Sequence, residues 1–217
     1  MKTATKIGDA VALIQDGASL MIGGFMGVGT PERLIDAIVA AGRKDLTVIA
    51  NDTARPGVGI GKLITAGAVS RAIVSHIGTN PETQQKMIAG EMQVDLTPQG
   101  TLAERVRAAG CGLGGVLTRT GLGTLAAEGK EVVTVDGEDF LLEKPLPADF
   151  ALVNAKNADW MGNLEYSLTA HNFNPIMCMA AKTVICEAQT IVPVGVIPPD
   201  HVKTPGILVD HILERAA

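Results

Sequence analysis

Residues Asp16-Gly-Ala-Ser-Leu20-Met-Ile-Gly-Gly24-Phe-Met-Gly-Val28-Gly-Thr-Pro-Glu32 place an apolar run, a glycine-dense turn and a helix start in immediate succession. Ser19–Ile22 is strand-sized and ends on glycine. Gly23–Gly29 is too rich in glycine for a regular element. Thr30 then suits a helix cap, and Pro31, with its fixed φ and missing N–H, suits the first helical position. Leu34, Ile35, Ile38 and Val39 form one apolar face, and Gly42 ends the helix. Strand, glycine loop and helix in that order open a parallel sheet covered by helices. Small residues let a backbone approach a ligand closely, and N–H groups at a helix start favour an anionic or carbonyl oxygen such as phosphate, carboxylate or thioester. The same glycines equally suit a tight turn that lets strand and helix pack.

Outward from this unit, short β-branched runs at Leu46–Ala50, Ala72–Ser75 and Val94–Thr97 alternate with helical patterns at Asp9–Gln15, Ile60–Ala66, Glu82–Ile88 and Leu102–Ala109. From Gly110 to Thr124 the chain reads GCGLGGVLTRTGLGT, which predicts an ordered loop. Val132–Val135 and Phe140–Glu143 flank Asp136-Gly137, a hairpin signal that adds antiparallel structure to the sheet. Further strands are expected at Phe150–Asn154, Thr183–Cys186 and near Ile207–Val209, with a short helix near Pro175–Ala181. The expected fold is α/β: a mainly parallel central sheet flanked by helices, with an added antiparallel hairpin. It is expected as one domain over residues 1–217, because the chain shows no repeat or linker-like shift and about 100–200 residues make a typical domain.

Composition narrows the class. With 47% hydrophobic residues and 19% charged, the chain can bury a substantial core and is not a disordered polymer. A net charge of -5 and the lack of a Lys/Arg-rich run argue against a nucleic-acid face. No apolar run reaches the 18 or so residues needed to cross a bilayer. Met1–Asp9 lacks the apolar stretch of a signal peptide, so a cytoplasmic chain without membrane attachment is expected. Cys111, Cys178 and Cys186 are widely spaced without a C-x-x-C, which points to buried thiols rather than disulfides or zinc.

The common catalytic patterns are missing. His76, His171, His201 and His211 form no pair at helical spacing and no H-E-x-x-H, so each reads as structural and no metal site is expected. G-x-S-x-G and G-x-x-x-x-G-K-[ST] are absent as well, and in the loop after the first strand Gly27-Val-Gly29 is followed by Thr30-Pro31-Glu32 rather than completing a G-x-G-x-x-G fingerprint. Polar residues instead sit where the strands should end: Asn51-Asp52, Ser75-His76 and Thr97-Pro98-Gln99-Gly100. In open α/β sheets ligands bind at the carboxyl ends of strands, which would gather these residues beside the glycine loop. Gln99 can donate hydrogen bonds to a developing oxyanion and Asn51 can orient a carboxylate, but neither is a nucleophile. Each also reads as a turn or capping residue.

The segment Asp16–Pro31 resembles, position by position, the N-terminal signature of the α subunits of family I (3-oxoacid type) CoA-transferases. The similarity extends through Asn51-Asp52-Thr53, Ser75–Glu82, Thr97–Arg105, Thr120–Thr124 and Asn172-Phe173-Asn174-Pro175. Ser75–Glu82 together with Gly112–Thr118 is more similar to the acetate- or butyrate–acetoacetate transferases than to the 3-oxoadipate branch. This resemblance implies an enzyme of α and β subunits, in which a Glu of a Ser-Glu-Asn-Gly segment in the β part attacks the acyl-CoA. This chain has no Ser-Glu-Asn-Gly. The implied partners are therefore a β subunit, in an α2β2 or similar assembly, and the substrates acyl-CoA and a short-chain carboxylic acid. Coenzyme A would be a substrate, with no permanently bound cofactor. By the same resemblance Gln99 stabilises the oxyanion. Asn51 and the loop Gly23, Gly24, Phe25, Met26, Gly27, Val28, Gly29 and Thr30 line the acyl and CoA crevice, and Gly112, Gly114 and Gly115 form a further wall. Two other readings stand beside it. A stand-alone sugar-phosphate isomerase or deaminase of related fold would draw an acid/base pair from Glu32 and Asp52, and a ligand-binding regulatory domain would need no catalyst.

Overall fold

The computed structural model describes residues 1–214; residues 215–217, the end of the expected domain, lie outside the described residues. The chain opens with strand β1 (Ala4–Thr5), helix α1 (Ile7–Leu13) and strand β2 (Ser19–Ile22), followed by α2 (Glu32–Ala40) and β3 (Leu46–Asp52). Next come α3 (Ile60–Thr65), β4 (Val69–His76), α4 (Pro81–Ile88), β5 (Gln93–Leu96) and α5 (Gln99–Gly110). The middle holds β6 (Val116–Thr118), β7 (Val132–Val135) and β8 (Glu138–Glu143). The last third consists of β9 (Ala148–Asp159), β10 (Leu164–Glu165), α6 (Asn174–Ala180), β11 (Ala181–Val192) and β12 (His211–Leu213).

The central sheet runs β1-β12-β11-β9-β2-β3-β4-β5, all parallel, with β10 antiparallel on β9. From β2 the chain winds outward through β3, β4 and β5, whereas β9 leads the other way, to β11, β12 and β1. The order of connection reverses between β9 and β2, and that switch point is where an open α/β sheet leaves a crevice outside its carboxyl ends. The glycine loop after β2 stands at this place.

Period-two alternation decides what each face of the sheet buries. Leu20, Ile22, Val48, Ala50, Ala72 and Val74 pack with Val11, Leu34, Ile35, Ile38, Leu63 and Ile64 of α1 to α3. Met21, Ile49, Ile73, Ala151 and Val153 turn the other way and meet Leu102 and Val106 of α5 and Met177 and Cys178 of α6. With helices on both faces, the strands read as continuous apolar runs rather than alternating ones. Each fully buried Leu or Ile contributes about 1.5–3 kcal/mol of transfer free energy.

Several expectations change. Asp136 and Gly137 do form the hairpin turn, with φ of 53° and 82°. Its strands, however, do not join the central sheet: β7 and β8 make a separate three-stranded sheet, order β6-β8-β7. The segment Gly110–Thr124 is therefore not all loop, since it contributes β6. Strands β9 and β11 are 12 residues each, longer than Phe150–Asn154 and Thr183–Cys186, because beyond the end of β2 they pair with one another as far as Asp159↔Val192. The last strand is β12 rather than Ile207–Val209. Gly206–Leu208 is a 3-10 turn that comes after Pro205, and Ile207 is exposed. Cys178 and Cys186 are buried, but Cys111, at the end of α5, is exposed. Among the described residues no helix is long and apolar enough to cross a membrane.

Candidate active site

The loop after β2 is a two-residue hairpin. Phe25 N–H donates to Val28 O at 3.0 Å and Val28 N–H to Phe25 O at 2.9 Å, with Met26 and Gly27 at φ 51° and 90°. Both central residues lie in the left-handed region, as a type I′ turn requires. Met26 bears a Cβ penalty there of about 1–2 kcal/mol. Asp52, at the end of β3, holds it in place: Oδ2 accepts from Met26 N–H at 2.9 Å and Oδ1 from Ala54 N–H at 2.7 Å. Phe25 and Val28 stand half exposed at the tip.

The glycines of this loop make room for the chain itself. A Cβ at Gly23 would collide with Asn174 Oδ1, one at Gly24 with Thr30 Oγ1, and one at Gly29 would lie 2.8 Å from Ala170 O. Asn174, Thr30 and Ala170 fill the space those glycines leave, and Asn172 and Asn174 tie the loop down by hydrogen bonds. Asn172 Oδ1 accepts from Gly24 N–H at 3.1 Å and its Nδ2 donates to Val28 O at 3.0 Å. Asn174 Nδ2 donates to Gly29 O at 3.0 Å, while its Oδ1 accepts from Asn154 N–H at 3.1 Å. Close packing within the chain thus requires glycine at Gly23, Gly24 and Gly29.

The next helix differs from the sequence expectation in the same sense. Thr30 does not cap α2. Glu187 of β11 does so from the middle of the molecule, its carboxylate accepting from Leu34 N–H at 2.9 Å and Arg33 N–H at 3.4 Å. The anion expected at this helix start is a buried side chain of the chain itself. Burial pushes the Glu187 carboxyl above its ordinary value, and the two backbone N–H groups pull it partly back. Glu32, in the first turn, is paired with Lys62 at 2.7 Å. The acid/base pair of the isomerase reading is therefore engaged at both members, Glu32 by Lys62 and Asp52 by backbone.

The strand ends of β3 and β4 and the start of α5 do come together. Asn51 is buried, 1% exposed, and its Nδ2 donates to Gly24 O at 2.7 Å. Gln99, the first residue of α5, donates from Nε2 to Asn51 Oδ1 at 2.5 Å. Ser75 Oγ reaches Asn51 O at 2.7 Å and also Gln99 Oε1. A glutamine amide carries two N–H groups, and the bond to Asn51 uses one of them. The other is available in the exposed mouth of the crevice. Such a group can stabilise negative charge that develops on a carbonyl oxygen, but it cannot form a covalent bond to an acyl group.

Gly112, Gly114 and Gly115 are not brought into this cluster. They come after the far end of α5, whose 12 residues span about 18 Å from Gln99. Gly112, at φ 68°, ends the helix, with Leu113 N–H donating back to Ala108 O at 2.9 Å. Gly115 lies against Glu143 O of β8. Three histidines have side-chain neighbours among the described residues: His171 edge-on to Tyr166, His201 on Glu165 and His211 on Thr5. A cavity of about 590 Å³ lies elsewhere, between Met1, Lys2, Met161 and Ile207. Sequence reasoning missed the Glu187 cap, which has no local signal. It also missed the buttress role of Asn172 and Asn174, for which the asparagines of Asn172-Phe173-Asn174-Pro175 were the available sign.

A model of the coenzyme A transferase family matches residues 4–215. The acetate CoA-transferase subunit alpha of Escherichia coli (strain K12) is 53% identical over 205 residues, covering 94% of this chain and 93% of that one. The acetoacetyl-CoA:acetate/butyrate CoA transferase alpha subunit of Clostridium acetobutylicum is 49% identical over 206 residues, covering 95% and 94%. Among solved structures, an acyl-CoA transferase from Escherichia coli O157:H7, in a thioester complex with CoA, superposes with a TM-score of 0.88 at 23% identity. That match covers 99% of this chain and 47% of the other, so the chain shares the fold of about half of that protein.

Proposed function

Because the chain belongs to the coenzyme A transferase family, we propose that it is the α half of a two-subunit enzyme of short-chain fatty acid metabolism. It moves CoA between a short-chain acyl-CoA, of the acetyl- or butyryl-CoA kind, and a short-chain or 3-oxo acid such as acetoacetate. The enzyme works in the cytoplasm as an α2β2 or similar assembly, with CoA as substrate and no resident cofactor. The observation that supports this reading is the hydrogen-bonded trio Gln99, Asn51 and Ser75 at the carboxyl edge, next to carboxylates that are already engaged by backbone N–H groups or a lysine. The site can polarise a carbonyl and needs its nucleophile from elsewhere. The names of the two relatives, each an alpha subunit, favour a partner as the source.

In this scheme a Glu carboxylate of the β subunit attacks the acyl thioester, and CoA thiolate leaves to give an acyl-glutamyl anhydride. The thiolate then attacks the glutamyl carbonyl, releasing the first acid as its carboxylate and leaving a glutamyl thioester. The acceptor acid runs the two steps in reverse. Each tetrahedral intermediate places negative charge on an oxygen, which the free N–H of Gln99 stabilises. Exclusion of water at the closed interface keeps anhydride and thioester from hydrolysis.

The test is acetyl-CoA:acetoacetate exchange measured on the purified chain, with and without the co-encoded partner subunit. The reading predicts exchange only from the mixture. Robust exchange by the chain alone would contradict it.

A further inference from the structure

We infer that Ser75 is a positioning residue, which fixes the amide of Gln99 in the one orientation that leaves an N–H for the reacting carbonyl; this rests on the role proposed above for Gln99. Ser75 lies one residue before the end of β4, and the pairings Ala50↔Val74 and Asp52↔His76 bracket it opposite Asn51 of β3. Alternation places Asn51 and Ser75 on the same face as Ile49 and Ile73, which pack against Leu102, three residues into α5 from Gln99. Sheet register and helix packing together therefore bring the three polar side chains to one point.

The direction of the hydrogen bonds is dictated by a single backbone group. Gly24 O can only accept, so Asn51 must present Nδ2 to it, at 2.7 Å. Asn51 Oδ1 is then left facing Gln99 and must accept, so Gln99 presents Nε2, at 2.5 Å. Gln99 Oε1 is consequently turned to Ser75 Oγ, a donor. Ser75 Oγ also lies 2.7 Å from Asn51 O, so its one hydrogen is shared between these two acceptors and neither faces a bare lone pair. Rotating the Gln99 amide by half a turn would set Oε1 against Asn51 Oδ1, and reversing Asn51 to relieve that would set its own oxygen against Gly24 O. Each alternative leaves two acceptors facing one another. The sense of the chain is thus fixed from Gly24 to Ser75, and only Ser75 holds the oxygen end of Gln99, a residue otherwise exposed at the helix start. Preorganisation of this kind matters because a donor that must first find its orientation stabilises the transition state less.

The experiment is a double-mutant cycle in the assembled two-subunit enzyme. Ser75→Ala is expected to lower kcat by about three- to tenfold, the scale of one neutral hydrogen bond, while KM for acyl-CoA changes by less than about twofold. Ser75→Thr, which keeps the hydroxyl, is expected to retain kcat. In a Gln99→Ala background, Ser75→Ala is expected to add no further loss, since there is no amide left to orient. An unchanged kcat in S75A, or losses that multiply in the double variant, would overturn the role of Ser75. A Gln99→Ala enzyme with full activity would instead overturn the proposed role of Gln99 itself. Where S75A fails to assemble, the Gln99 side-chain amide of the full chain is followed by NMR. A sharpened, mobile signal in S75A supports the clamp, and a signal as ordered as in the parent chain contradicts it.

Discussion

Two helices start at the carboxyl edge of the same sheet, and their first turns are satisfied differently. Helix α2 comes after β2 and a glycine loop, the place where the sequence suggests an anion site, yet the N–H groups of Arg33 and Leu34 in its first turn are bonded to the buried carboxylate of Glu187. Helix α5 comes after β5 and Pro98, which supplies no side-chain cap, and its first side chain reaches across to Asn51. The two positions share topology, helix dipole and nearness to the crevice. What separates them is whether the chain has already closed the hydrogen bonds on itself. A helix start is a binding site only where its own fold leaves donors over. Density of glycine is no guide to that, for Gly23, Gly24 and Gly29 admit Asn174, Thr30 and Ala170.

If this contrast is right, substitution at the open terminus damages rate and substitution at the closed one damages stability. Gln99→Ala in the assembled enzyme should lower kcat by about ten- to a thousandfold, the effect of losing one oxyanion donor, with thermal unfolding unchanged. An unchanged rate with intact assembly would erase the distinction. Glu187→Ala should do the reverse: it leaves two backbone donors of α2 without an acceptor, at a cost of about 2 kcal/mol, a fall in Tm of roughly 4–8 °C for a chain of this size. Activity per assembled complex should hold. A loss of rate out of proportion to stability would place Glu187 in the chemistry.

A smaller effect sharpens the comparison by setting Glu187 beside a carboxylate at the opposite, amino edge of the sheet. Asp149 accepts from Ser19 N–H at 3.0 Å and Ser19 Oγ at 2.7 Å, and Lys182 lies 2.9 Å away; these hold its pKa down to about 2. Its folded pKa is depressed, so its contribution to stability is present above the ordinary carboxyl value of 3.8 and is lost as pH falls towards about 2. Glu187 has the opposite sign. With its pKa raised by burial, its contribution is full below 4.5 and declines as pH rises through the folded value. Denaturant midpoints measured from pH 2 to 7 should show the acid limb flattened in Asp149→Asn. The change is modest because that side chain is 40% exposed. An acid limb identical to the parent's would mean that Ser19 and Lys182 do not hold the charged form.

The parallel half of the fold was legible because its signals are local. Ser19–Ile22 and the apolar face of α2 can be read from adjacent residues, and so can the Asp136-Gly137 turn. Strands β9 and β11 were only half visible, since Ala155–Asp159 carries no β-branched residue and is a strand because β11 runs beside it. Strand β1, two residues long, has no pattern to detect. At the site, Asn51 and Gln99 were readable as polar residues at strand ends. Glu187 was not, because 153 positions separate it from the N–H it caps. Gly112, Gly114 and Gly115 lie apart from the Asn51–Gln99 cluster because α5 begins at Gln99 and they come after its far end.

The central claim is that this chain supplies the oxyanion donor while its partner supplies the nucleophile, and intact-mass spectrometry tests it most directly. The assembled enzyme is incubated with acetyl-CoA and no acceptor acid, quenched, and each subunit is weighed and mapped by peptide. The account predicts the covalent adduct on a Glu of the partner subunit, with the mass of this chain unchanged. An adduct on Glu32, Asp52, Glu187 or any other residue of this chain would contradict it.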